Sequence, residues 1–127
     1  MGSMYSATTL DHFMHPRNVG RADGYIGVGR ARSRFCDDRL EITVAMEAGR
    51  LVTGFRAQAC SACIAAASML TEMVNTQAVQ VADARSITLD QLAAALDSVP
   101  EEKLRCVKLA PVALSRALDD AATKGVP

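Results

Sequence analysis

No apolar run in this 127-residue chain reaches the roughly 20 residues that a membrane-spanning helix needs, so a membrane role is not expected. A basic segment followed by an apolar one is also missing at the N-terminus, so no secretory signal is read and a cytoplasmic protein is expected. Fourteen basic residues balance fourteen acidic ones, with no dense basic run beyond Arg30-Ala31-Arg32-Ser33-Arg34. Nucleic acid is therefore not an expected partner. Only one Cys-x-x-Cys occurs, at Cys60 and Cys63, and no second one completes a zinc ribbon. Internal repeats and low-complexity stretches are lacking as well.

What is present suits one core. Half of the residues are hydrophobic, enough for a single domain, expected over 5–122 with a C-terminal tail over 123–127. Residues 1–4 read as an expression scar or disordered start: Met1-Gly2-Ser3 ahead of Met4 fits that better than the N-myristoylation pattern that Gly2 and Ser6 also satisfy. Four cysteines in a reducing compartment point to ligands, catalysts or buried residues rather than to a disulfide framework.

Thr8 to Asp11 has capping-box spacing, and Leu10, Phe13 and Met14 give a short first helix its apolar face. It must end near His15, because Pro16 disfavours the helical conformation in the residue before it. Tyr25 to Phe35, interrupted by Gly27 and Gly29, reads as an irregular strand. Leu40, Ile42, Val44 and Met46 alternate with polar or small residues. The turn Glu47-Ala48-Gly49-Arg50 then leads into a hairpin partner through Leu51, Thr53, Phe55 and Ala57. From Cys60 onward the pattern is helical. A run of small apolar residues follows Cys60, Val79 to Ala84 suits a short helix, and Thr88 caps another through Leu96. A last helix carries Val107, Ala110, Leu114 and Leu118, and Pro111 places its regular part close to Leu109. Strands first and helices afterwards predict an α+β fold: a three-stranded antiparallel sheet with helices on one face and a short N-terminal helix.

On that layout Cys36, Cys60 and Cys106 all fall at element ends, which can converge. Asp38, two residues after Cys36, adds an oxygen donor. Three thiolates and a carboxylate suit tetrahedral zinc, or an iron-sulfur cluster with one harder, weaker ligand. Cys60 at a helix N-terminus would also be favoured as a thiolate. A dithiol redox pair at Cys60 and Cys63 is the alternative, although that motif belongs in a βαβ setting. His12, on the first helix, and His15, at its end, are expected to be structural. Met69 and Met73, four apart, fill the core.

The order of these residues resembles the IscU/NifU-type iron-sulfur cluster assembly scaffolds from Tyr5 to about Asp120. The resemblance rests on Asp11-His12-Phe13 with Pro16-Arg17-Asn18-Val19-Gly20, on Cys36 with Asp38, on Cys60 with Ser68-Met69-Leu70-Thr71-Glu72, and on Cys106 with Leu109-Ala110. It implies a scaffold, rather than a turnover enzyme, that accepts sulfur from a cysteine desulfurase and passes a labile cluster to acceptor proteins. Cys36, Asp38, Cys60 and Cys106 fall on the family's ligand positions, with the three cysteines as sulfur acceptors. A two-iron cluster is favoured over a four-iron one, with zinc in the cluster-free protein.

Four departures stand out. Asp37 replaces the family's glycine, adding a charge and removing a permissive backbone. Arg105 replaces a histidine and, always protonated, cannot ligate. Zinc-binding sulfurtransferases of the wider family carry a basic residue there, but with an insertion this chain lacks; a zinc persulfide sulfurtransferase is the second expectation. Val99-Pro100-Glu101-Glu102-Lys103 stands where bacterial scaffolds present a Leu-Pro-Pro-Val-Lys-like motif, which argues against a dedicated Hsp70-type chaperone. Cys63 is extra at a small-residue position and is expected in the core. Lys103, Arg105 and Cys63 are the accessory candidates.

Overall fold

The computed structural model describes residues 5–34, 37–77 and 79–125. The residues read as an expression scar, and Phe35 and Cys36, lie outside them.

Three strands form an antiparallel sheet in the order β1 (Gly27–Arg32), β2 (Arg39–Glu47) and β3 (Arg50–Gln58). Alternation sets its faces. Leu40, Ile42 and Val44 on β2 and Leu51, Thr53 and Phe55 on β3 point into the core. The β2–β3 hairpin closes at Ala48 and Gly49, whose φ values of 52° and 79° are those of a two-residue turn matching strand twist. The first strand is shorter than Tyr25 to Phe35, and its glycines do not interrupt it. A β-carbon on Gly27 or Gly29 would collide with the backbone of the last helix, so the two glycines let that helix lie directly on the strand.

Among the described residues, six α-helices follow the pattern of the apolar residues: α1 (Ala7–Met14), α2 (Ser61–Thr76), α3 (Val81–Arg85), α4 (Leu89–Ala95), α5 (Leu104–Val107) and α6 (Leu109–Thr123). Central α2 is buried nearly all round, with Ala62, Cys63, Ala65, Ala66, Ala67 and Ser68 letting neighbours approach closely. The cap of α1 is Ser6 rather than Thr8. Its hydroxyl accepts from the Thr9 N–H at 3.0 Å, while Asp11 is drawn to Arg17 at 2.7 Å instead of closing a box. Thr88 does cap α4, with Gln91 completing a capping box. The short helix after Ala78 starts at Val81, two residues later than expected. The last helix is divided: a 3-10 turn over Glu101–Lys103, then α5, then α6 with Pro111 in its first turn.

Helices α2 and α6 cover the inner face of the sheet, and α1 packs on α2. Segment 18–26 crosses the outer face. It starts at the β3 edge, where Gly20 N–H donates to Phe55 O at 2.7 Å and Phe55 N–H to Asn18 O at 3.0 Å. It passes over Thr43 and Gly54, and reaches β2 where Ile26 N–H donates to Val44 O at 2.8 Å. Side chains finish both sheet edges. Asp120 accepts from Val28 N–H at 2.9 Å and Arg116 donates to Arg30 O at 2.7 Å, while Asn75 pairs with both backbone groups of Thr53. These contacts blunt the exposed ladder groups that would otherwise recruit another strand. Among the described residues, no helix is long and apolar enough to cross a membrane.

Candidate metal centre

The β3–α2 junction brings Cys60 to the N-cap of α2, with extended backbone and no side-chain capping bond. Its thiol is thus not spent on the helix end. Asp38 immediately precedes β2 and is buried at 4% exposure. One carboxylate oxygen, Oδ1, accepts from the Cys60 N–H at 2.9 Å, which ties the start of β2 to the start of α2. Cys106 enters from α5 and is buried at 3% exposure.

One ligand atom from each of Asp38, Cys60 and Cys106 lies within 4.8 Å of the others. Three residues separated by 22 and 46 positions in sequence are therefore gathered at one end of the sheet. Two are buried and Cys60 is half-buried, so the cluster opens to solvent on the Cys60 side. Two sulfurs and a hard oxygen form a mixed donor set whose chemistry suits zinc or iron and is too rich in sulfur for magnesium or calcium. Cys36, the fourth expected ligand, lies outside the described residues.

The accessory candidates separate. Cys63 is fully buried in the hydrophobic core one turn along α2 and is not in the donor group. Arg105 is exposed beside Cys106, Lys103 is half-buried in the preceding turn, and Asp37 is exposed beside Asp38. His15 is exposed at the end of α1, 3.4 Å from Asp11.

His12 is structural, as expected, but its role is more specific than the sequence indicated. It is buried between α1 and α2, with Nδ1 2.7 Å from Ser68 Oγ and Nε2 3.1 Å from Glu72. Neutral imidazole satisfies every group: Nε2–H donates to Glu72, Nδ1 accepts from the Ser68 hydroxyl, and Ser68 Oγ accepts from the Arg17 N–H at 2.9 Å. Burial, followed by the nearby Arg17 charge, lowers the His12 pKa below its ordinary value against the opposing pull of Glu72. Ser68 and Glu72, four apart on the α2 face that meets α1, were the sequence signal for this clamp.

The chain matches the NifU-like N terminal domain over residues 4–126. It is 38% identical over 118 residues to the iron-sulfur cluster assembly scaffold protein IscU 1 of Archaeoglobus fulgidus, covering 92% of this chain and 76% of that protein. The IscU scaffold protein of Rickettsia prowazekii is 31% identical over 121 residues, covering 91% and 90%. In fold, the chain is similar to the N-terminal part of a nitrogen-fixing NifU-like protein from Brucella abortus, with a TM-score of 0.70 at 16% identity, covering 96% and 99%. With the domain match spanning nearly the whole sequence and such relatives covered over more than two thirds of their length, the chain belongs to the IscU/NifU family.

Proposed function

We propose that this protein is a scaffold on which an iron-sulfur cluster is built and from which it is handed on. The observation that carries the reading is the convergence of Asp38, Cys60 and Cys106 within 4.8 Å. Cys36 completes the set. It stands two residues before Asp38 in the sequence. Four protein ligands, three of them thiolates, meet the usual demand of a two-iron cluster, and the Asp38 oxygen is the weak ligand that keeps the cargo exchangeable. The partial opening at Cys60 suits exchange with partner proteins.

Sulfur would arrive from a cysteine desulfurase. A thiolate among Cys36, Cys60 and Cys106 attacks the outer sulfur of the desulfurase persulfide, the S–S bond breaks, and the desulfurase thiolate leaves. An external electron-donor protein then supplies two electrons per sulfur, cleaving the new persulfide S–S bond to give cluster sulfide and the cysteine thiolate, and acceptor proteins take the finished cluster. Arg105 cannot ligate, so the set is closed by carboxylate and thiolates alone.

One observation also favours zinc in the cluster-free protein. Ligands of a single tetrahedral zinc lie about 3.8 Å apart when its bonds are near 2.3 Å, and three donors within 4.8 Å can close on one ion with small adjustments. Anaerobic incubation with iron, sulfide and competing zinc decides between cargo and ion. Iron and acid-labile sulfide in matching amounts, lost in Cys36→Ala and Cys106→Ala, are expected. Stoichiometric zinc without labile sulfide would replace the scaffold reading with a zinc-bound sulfur-transfer protein.

A further inference from the structure

The outer face of the sheet is only half covered. Segment 18–26 lies over Thr43 and Gly54, and beyond it the face opens as a groove of about 530 Å³ toward the metal centre. Five arginines line it: Arg30 and Arg32 from β1, Arg39 from β2, Arg56 from β3 and Arg116 from α6. All five are exposed. Glu41 is the one carboxylate among the described lining residues, and it is already engaged by Arg21 at 3.0 Å and Arg30 at 3.1 Å. The Arg21 hydrogen bond, reinforced by the charges of Arg21, Arg30 and Arg56, lowers its pKa, so it stays ionised and committed to those partners.

Arg32, Arg39 and Arg56 make no ion pair among the described residues. For Arg32 and Arg39 the register makes this costly, whereas Arg56 stands opposite Glu41. Arg32 and Arg39 are direct cross-strand partners, and like charges directly opposite each other destabilise a sheet. Folding gains nothing from that opposition, and the chain as a whole is neutral, so the local excess is not the by-product of a basic composition. Planar guanidiniums on neighbouring strands, about 4.8 Å apart, present paired donors suited to carboxylates.

We propose that this groove docks an acidic segment of a partner protein. Carboxylates are favoured over a nucleic acid because, among the described residues, no aromatic ring lines the groove to stack a base, and a neutral chain offers no general attraction for a polyanion. Position gives the docking a purpose. Arg39 follows Asp38 directly, and its cross-strand partner Gln58 stands two residues before Cys60. A segment seated here holds its protein beside the donor cluster, whichever metal cargo that cluster carries.

The test uses the metal-free full chain and three labelled probes of matched length: polyglutamate, polylysine and oligothymidylate. Fluorescence anisotropy at low salt is expected to show polyglutamate binding that weakens as salt rises. Binding should fall about tenfold in the triple variant R32Q/R39Q/R56Q and stay unchanged in R50Q/R85Q, which removes two arginines elsewhere. Amide resonances of residues 30–32, 39–41 and 56–58 of the unaltered chain should move during the titration, a readout independent of how the variants fold. No polyglutamate binding, equal loss in both variants, or tighter binding of oligothymidylate or polylysine would overturn the proposal. The groove variants keep every cysteine, so their zinc content, expected to be unchanged, reports separately on the metal centre.

Discussion

Replacing Gly29 with alanine should damage both the fold and the candidate metal centre. A β-carbon there would fall well inside 3.0 Å of Ala113 O and Ala117 N, and 3.0 Å from Ala117 Cα. All three are helix backbone atoms and cannot rotate away, so α6 must lift off β1. Overpacking of this kind costs about 3 kcal/mol, at the upper end of its range because backbone rather than side chain must yield. The lower entropy of an unfolded chain with alanine returns about 0.5 kcal/mol. An unfolding entropy of about 2.1 cal/mol/K per residue, over this chain's length, converts the remaining loss into a Tm lowered by about 9 °C. Because α5 joins α6 through Lys108 alone, the shift also carries Cys106 away from Asp38 and Cys60. Thermal unfolding by circular dichroism and a zinc competition titration read the two effects. A Tm within about 2 °C of the parent together with unchanged zinc affinity would refute the close contact of β1 and α6.

Asp38→Ala removes the proposed weak oxygen ligand, so a reconstituted cluster should persist longer against a chelator, followed by its visible absorption; faster decay would count against the ligand role. His12 should make stability fall with acid. Its folded pKa is lowered, so the unfolded chain takes up the proton first, and stability that is full above about pH 6.5 is lost as pH drops toward the folded pKa and is constant below it. Urea titrations across that window should show a slope in the parent chain that H12Q reduces. Asn75→Ala strips the Thr53 N–H of its side-chain acceptor at 2.8 Å and the Thr53 carbonyl of its side-chain donor at 2.9 Å. Leaving both half-buried groups unsatisfied should cost about 3 kcal/mol in chemical denaturation.

Local rules carried much of the fold. Alternation from Leu40 to Ala57 specified the hairpin, Thr88 announced its helix, and Pro111 located the start of α6. What escaped were facts of tertiary placement. Gly27 and Gly29 read as strand breakers because propensity knows nothing of the helix above them. Ser6 outcompeted Thr8 as the cap of α1, where Ser6 and Thr9 also donate to Leu96 O from the far side of the core. In the donor cluster, residue types and element ends pointed to Asp38, Cys60 and Cys106, but not to the Asp38 bond with the Cys60 amide that links the two element starts. The arginine groove was least legible. Arg30 and Arg32 stand two apart and share a face, while Arg39, Arg56 and Arg116 join them only through strand register and the packing of α6.

Iron K-edge X-ray absorption on the chain loaded anaerobically with iron and sulfide reads which atoms surround the bound iron. A sulfur shell, an iron neighbour to each iron, and a light-atom ligand that disappears in Asp38→Ala are expected. A shell of oxygen and nitrogen alone, with no iron neighbour, would contradict the scaffold reading.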